Sequence, residues 1–475
     1  MLFTSMEFLF LFFPIVLGVY FFLPMKARNY WLFLVSLFFY AWGEPVFVLF
    51  MLFSIFFNYL VAIRIEELGS KGCMRKIMLA IAVFVNLGVL FVYKYMNFAT
   101  TNLQKLFESS GFAIEITEYV LPIGISFFTF QALSYVIDVY RGIPAQKNPA
   151  YLGLYISLFP QLIAGPIVRY TTVMNEIESR HITRDGFCHG MLRFLYGFNK
   201  KMLLANLFAK VADAAFAAEE LSVGFAWFGA LCYSLQIFFD FSGYSEMAIG
   251  LGEMFGFHFL ENFNYPYISK TVSEFWRRWH ISLGSWFRDY VYFPLGGSRV
   301  KSKIRLIFNL AVVWLATGIW HGANWTFLLW GILHGTIIII EKLFSLPTKL
   351  EKRKWTSICY RIITLLIVIL GWVLFRAESL TQGVHYVKTM FAMENAALWC
   401  QNATFYIREN ALLFTVGILC SVPLFKRLTE IMEKKSERMS VLCGHFGVTV
   451  QLLLFIVSVS FLVMNAHNPF IYFNF

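Results

Sequence analysis

Charge is scarce in this chain. Asp, Glu, Lys and Arg account for 14% of its 475 residues, whereas 59% are hydrophobic and 19% aromatic. No soluble globular domain needs that much apolar side chain, so the scarcity excludes one. The short alternating segments of a membrane β-barrel are also missing. Cysteine is sparse: Cys73, Cys188, Cys232, Cys359, Cys400, Cys420 and Cys443 are scattered and odd in number. No two of them stand at metal-ligand spacing, so they read as small buried hydrophobes and no metal site is expected. Met1–Leu23 lacks the basic start and small-residue cleavage site of a removable signal, and reads as a first membrane helix. No internal repeat is evident, which counts against a transporter built from inverted halves. There is no G-x-S-x-G elbow, no H-E-x-x-H, no P-loop, and no carboxylate pair spaced for glycosidic chemistry.

What is abundant is long apolar sequence. Runs of about 20 residues recur from end to end, enough for a helix to cross a bilayer core. The expected fold is all-α and polytopic. The formal net charge of +11 falls in short basic clusters between these runs. That is the pattern of cytoplasmic loops, not of a nucleic-acid surface.

The first spans are expected over Glu7–Leu23, Tyr30–Trp42, Val46–Ile63, Ile77–Met96 and Tyr119–Val139, the last with Pro122 in its first turn. Met202–Phe216, following Lys200 and Lys201, and Gly224–Leu251 come next, then a hairpin over Leu306–Leu343. Ile358–Phe375, Asn410–Leu424 and Phe446–Val463 complete the set, about eleven helices in all. Tyr151–Val168 holds F-P-Q-L-I-A-G-P-I between basic flanks and reads as a broken or re-entrant segment, with a kinked span as the alternative. The basic stretches Arg64–Lys76, Arg277–Arg305 and Lys426–Arg438, the last read as a charged loop, are expected in the cytoplasm. Both termini are then expected outside, as is Asn97–Glu118 with Glu108, Glu115 and Glu118.

The chain is organised around Ser273–Gly335. It opens with S-E-F-W-R-R-W-H-I-S-L and later carries A-T-G-I-W-H-G-A-N-W, so His280 and His321 each follow a tryptophan. Ionisable side chains at membrane depth are costly and mark a cavity or a pathway. His321 is sixteen residues past Arg305. At about 1.5 Å per residue that places it far into the bilayer core, while His280 falls near the cytoplasmic mouth unless its segment dips inward. Histidine suits proton transfer near neutral pH, and walls such as Trp320 and Trp325 keep its ring neutral. Asn324 can hydrogen-bond a reacting group or orient the ring. Arg277 and Arg278, between Trp276 and Trp279, can hold an anionic donor, or anchor the cytoplasmic end of the segment. Asp240, Tyr244 and Met247 share a helical face that lines an interior cavity or packs as a hydrogen-bond network.

Six stretches carry a resemblance: P-I-G-I-S-F-F-T-F-Q (122–131), F-P-Q-L-I-A-G-P-I (159–167), F-D-F-S-G-Y-S-E-M-A-I-G (239–250), F-W-R-R-W-H-I-S-L (275–283), I-W-H-G-A-N-W (319–325) and P-F-I-Y-F (469–473). Together they resemble the membrane-bound O-acyltransferase family, in its alginate O-acetyltransferase-like branch, over nearly the whole chain. The resemblance implies one membrane domain over 1–475: N-terminal helices 1–118, a catalytic core 119–345 and C-terminal helices 346–475. It implies a ring of tilted helices and re-entrant pieces around a through-membrane tunnel. His321 in the W-H-G element is then the active-site histidine, with His280 lining the same tunnel. No bound cofactor is implied. An acyl thioester, acetyl-CoA or an acyl carrier protein, enters from the cytosol. A serine-hydrolase-like acetyltransferase or relay protein and a polysaccharide acceptor meet it outside the bacterial plasma membrane. Teichoic-acid D-alanyl transferases share both histidine elements, so the acyl group stays open, and a non-enzymatic precursor transporter or an assembly scaffold is the competing class.

Overall fold

The computed structural model describes residues 1–69, 72–107, 119–350, 353–393, 396–434, 436–464 and 470–471. Among them the regular structure is helical, with no strand. Eight helices are long and apolar enough to cross a membrane, and Phe8–Phe22 and Ile125–Tyr140 are shorter apolar helices. The elements used below are α1 (Phe47–Glu67), α2 (Gly72–Phe107), α3 (Val223–Met254), α4 (Val272–Arg278), α5 (Ile281–Phe287), α6 (Lys303–His321), α7 (Trp325–Leu343), α8 (Lys354–Arg376), α9 (Gln401–Ser421) and α10 (Glu437–Val463). The chain forms two compact units, residues 1–194 with 247–260, and residues 195–246 with 261–475.

In the first unit, polar side chains tie apolar helices together. Asn58 of α1 and Asn86 of α2 exchange reciprocal amide hydrogen bonds at 3.1 and 2.9 Å in a buried setting. Buried Arg180 donates from Nε to the Phe255 carbonyl at 2.9 Å and the Tyr20 hydroxyl at 3.1 Å. The F-P-Q-L-I-A-G-P-I segment is broken: one helix spans Pro149–Ser157, a four-residue turn spans Phe159–Leu162, and Leu158 separates them at ψ 112°. Protein meets the polar groups that the break frees. The Phe159 N–H donates to Ser36 Oγ at 3.1 Å, and the Tyr155 hydroxyl donates to the Val168 carbonyl at 3.0 Å.

Two expected elements differ here. The helix expected from Tyr119 begins only at Ile125, so Pro122 precedes it instead of sitting in its first turn. Gly124 decides that start. It stands at φ +77°, and a Cβ there would lie 3.0 Å from the Leu162 carbonyl oxygen. The stretch from Asn97 continues α2 as far as Phe107, while Glu108, Glu115 and Glu118 lie outside the described residues.

In the second unit the helix expected to start at Met202 is the end of a longer helical run. Arg184–Lys200 leads into a wide turn over Lys201–Ala205 and then Asn206–Phe216. The span is expected to start only after Lys200 and Lys201, two adjacent cations that burden an apolar bundle. Both are neutralised from α3, Lys201 by the buried Asp240 and Lys200 by Glu246 at 3.8 Å. The Lys426–Arg438 loop also holds a helix, Leu424–Glu433. Leu424, Phe425, Leu428, Ile431 and Met432 recur at helical spacing and are all exposed, the pattern of a helix lying in a membrane interface.

The hairpin expected over Leu306–Leu343 is α6 and α7, joined by a turn at residues 322–324. Its helices touch through glycine. A Cβ on Gly318 would lie 2.7 Å from the Phe327 carbonyl oxygen, and one on Gly331 2.7 Å from that of Trp314. Such small-residue contacts let backbones approach closely where lipid gives no hydrophobic drive. The close approach aligns the α6 face carrying Trp314, Thr317 and His321 with Trp330 of α7.

Candidate active site

Elements α4 to α7, with the turn that follows α7, enclose one cavity of about 580 Å³. Its construction starts at the N-terminus of α4. Thr271 Oγ1 accepts the Glu274 N–H at 3.0 Å, and the Glu274 carboxylate accepts the Lys270 N–H at 2.9 Å, a relative of the capping box written in T-V-S-E. Glu341 of α7 is 1% exposed. It accepts the Val272 and Ser273 N–H groups, each at 2.8 Å, and the Tyr360 hydroxyl at 2.8 Å. A buried carboxylate thus holds the first-turn donors that a helix start leaves unmatched.

Between α4 and α5 the chain turns at His280, which takes the left-handed conformation at φ +47°. Non-glycine residues seldom adopt it, and here it carries the imidazole. His280 is 2% exposed, so its ring is buried within the protein. Its ring meets Phe241 edge-on with centres 4.6 Å apart, and Trp320 with centres 6.1 Å apart. Burial pushes its pKa down to about 3, which keeps the ring neutral.

His321 is the last residue of α6 and 4% exposed. Its ring stands edge-on to Trp320, Trp330 and Phe375, with centres 5.0, 4.9 and 5.2 Å apart. Leu310, Val313, Trp314, Thr317 and His321 all line the cavity. Their spacing of three, four, seven and eleven residues from Leu310 puts them along one face of α6. At about 1.5 Å per residue that wall is about 16 Å long and ends at His321. The exposed lining residues Arg277, Arg288 and Lys342 make the open part of the cavity basic. Arg288 pairs with Asp289 at 2.8 Å, and Lys342 donates to the Tyr292 hydroxyl at 3.0 Å.

Of the residues picked from sequence, Trp276, Arg277, Trp279, His280 and His321 line this one cavity. Trp320 stands behind both imidazoles. Arg278 is turned away, paired with Glu274 at 2.9 Å and bonded to the Asn264 carbonyl at 3.2 Å. Asp240 belongs to the packed network: besides Lys201 it accepts the Ile471 N–H at 2.8 Å. Tyr244 packs against Phe470 with its ring tilted by 31° and centres 4.8 Å apart. In the tail motif only Phe470 and Ile471 are described; residues 469, 472 and 473 lie outside the described residues. Asn324 caps α7 by accepting the Thr326 N–H at 3.2 Å and donates to the Glu378 carbonyl at 2.8 Å. Trp325 is 48% exposed and outside the wall. Sequence reading missed Arg288, Glu341, Lys342 and Asn262, whose amide contacts His280 and Ser282. Only Arg288 and Lys342 carried a signal, Arg288 in the basic stretch Arg277–Arg305 and Lys342 as a cation at the end of the expected hairpin.

Residues 77–381 match the model of the membrane-bound O-acyltransferase family, MBOAT. The chain is similar to the Probable alginate O-acetylase AlgI of Pseudomonas aeruginosa, 44% identical over 82% of this chain and 75% of that protein. That of Pseudomonas putida is 39% identical over the whole of both. The Peptidoglycan O-acetyltransferase of Helicobacter pylori is 33% identical over 100% of this chain and 98% of that protein. Teichoic acid D-alanyltransferases are more distant, that of Streptococcus thermophilus 26% identical over 66% of this chain.

Proposed function

Since the chain belongs to the membrane-bound O-acyltransferase family, we propose that it moves an acetyl group from a cytoplasmic thioester to a hydroxyl destined for an envelope polysaccharide, as in alginate-like exopolysaccharide acetylation. One observation carries this reading: a single cavity has a basic open part and residues of both histidine elements, W-R-R-W-H and W-H-G, on its wall. The anionic head of acetyl-CoA, or the phosphate-bearing arm of an acyl carrier protein, rests at Arg277, Arg288 and Lys342. The acyl-bearing arm lies along the α6 face toward His321. There His321 takes the proton of the acceptor hydroxyl as its oxygen bonds to the acyl carbon. The carbon–sulfur bond breaks, and the departing thiolate takes up that proton. The acceptor is the polysaccharide itself or a serine-hydrolase-like or relay protein on the outer side. D-alanyl transfer to teichoic acid is the second reading, supported by the more distant relatives.

The test is the purified protein in liposomes, offered radiolabelled acetyl-CoA, acetyl-acyl carrier protein or a D-alanyl carrier. Consumption of an acetyl thioester with label appearing in ester linkage is the expected result. Passage of a polysaccharide precursor without thioester consumption would establish the transporter instead.

The membrane is the bacterial plasma membrane, with both termini outside and Arg64–Lys76, Arg277–Arg305 and Lys426–Arg438 in the cytoplasm. A Ser302→Cys variant in intact cells is expected to resist an impermeant thiol reagent beyond the background of the seven natural cysteines. Labelling of Ser302→Cys from outside would reverse this orientation.

A further inference from the structure

Asn262 lies in the loop after α3, in F-L-E-N-F-N-Y-P-Y, and is 1% exposed. Three donors face its side-chain oxygen: the Ser282 N–H at 3.2 Å, the Ser282 hydroxyl at 2.9 Å and His280 Nδ1 at 3.2 Å. Its amide nitrogen donates to Ser245 Oγ of α3 at 3.0 Å, and its backbone carbonyl accepts the Ile281 N–H at 3.0 Å. The amide orientation follows from chemistry. The Ser282 N–H can only donate, so the group facing it is the oxygen and not the NH₂. His280 Nδ1 faces that same oxygen at 3.2 Å, and the Ser282 hydroxyl, 3.4 Å from Nδ1, has its shorter bond to the oxygen at 2.9 Å, so the ring proton belongs on Nδ1. Nε2 is then the lone-pair nitrogen of the neutral ring. The left-handed backbone at His280 and the bonds Asn262 accepts from the backbone N–H groups of residues 281 and 282 fix the ring from one side, while Phe241 and Trp320 fix its plane.

From this we infer that Asn262 is a positioning residue for acyl transfer: it selects the Nδ1–H tautomer of His280 and so presents Nε2 as a proton acceptor. The inference rests on the acyltransferase reading of the cavity and deepens it. His280 in this tautomer accepts a hydrogen bond from a hydroxyl or thiol through Nε2, and cannot donate one to a developing oxyanion from that nitrogen. Ser245 sits in the S-G-Y-S-E motif of α3 and holds the amide, which links that motif to His280 without placing it in the cavity.

The experiment is a double-mutant cycle in full-length protein, reading acetyl transfer per amount of accumulated enzyme. Asn262→Ala is expected to lose up to about a hundred-fold, the cost of a ring misplaced by about 1 Å. Added to His280→Ala, it is expected to cost nothing further, because Asn262 acts through that ring. Losses that multiply would assign Asn262 a general structural role and overturn the inference. Asn262→Asp supplies a second arm, decisive even if the alanine variant fails to accumulate. It keeps the acceptor and adds a negative charge beside Nδ1–H, which favours the imidazolium. Among the side chains set against the ring, Phe241, Asn262, Ser282 and Trp320 carry no charge of their own. In Asn262→Asp the acidic limb of the rate–pH profile is expected to move to higher pH, with transfer retained above it. An unmoved limb would overturn the inference. Absence of acetyl transfer by the unmodified protein is a different result, and would remove the acyltransferase reading instead.

Discussion

His321→Ala is expected to lower acyl transfer by about 10²–10⁴-fold, the usual contribution of a positioned general base. The protein should still insert and accumulate. Its ring ends α6 and spans no packing layer alone: Trp330 and Phe375 touch each other, with centres 5.5 Å apart, and belong to the neighbouring aromatic cluster without it. Alanine is also a strong helix former at the end of α6. The imidazole closes a wall about 16 Å long whose other members, Leu310, Val313, Trp314 and Thr317, have no group able to take a proton near neutral pH. The measurement is ester-linked acyl product, normalised to protein in the membrane fraction. Near-normal product from a stably accumulated His321→Ala protein would remove the assignment, and would favour a scaffold or transporter.

His280→Ala is expected to be weaker, with transfer reduced about ten- to a hundred-fold and some activity left. The difference follows from where each ring stands. His280 shares its Nδ1 contact with Asn262 and Ser282, so its removal also disturbs the turn that carries α5 and the basic Arg288 behind it. The expected deficit therefore includes weaker use of the donor, read as a raised donor KM. A His280→Ala enzyme as inactive as His321→Ala, with unaltered donor dependence, would make the two histidines equal partners in chemistry and not a base with a donor-side companion.

The two histidine elements were plain before any coordinates. A tryptophan–histidine pair in an apolar chain with little charge is a conspicuous signal, because burying imidazole costs free energy that packing alone does not return. The all-helical class was equally plain, since only length and apolarity are needed to mark helices that cross a bilayer. Helix ends were less so. Gly124 starts its helix because a carbonyl 162 residues into the chain crowds it, and no local preference encodes that. Lys201 continues a helix because Asp240, far away in sequence, neutralises it. Leu424–Glu433 was hidden by its own charges, although its apolar spacing was readable.

The sequence by itself determined the membrane class, the two tryptophan–histidine elements and the basic stretch beside the first of them. All three depend on residue type and short-range spacing. The tertiary structure alone decided which neighbours serve the site. Arg277 and Arg278 are adjacent, yet successive helix residues point about 100° apart, so one lines the cavity and the other pairs with Glu274. Asp240 and Asn324 have the right chemistry for a site but spend it on Lys201 and on a helix cap. Glu341 and Asn262 gave no local signal at all. Their roles exist only because folding brings them to the start of α4 and to the His280 turn, where buried N–H groups must find an acceptor.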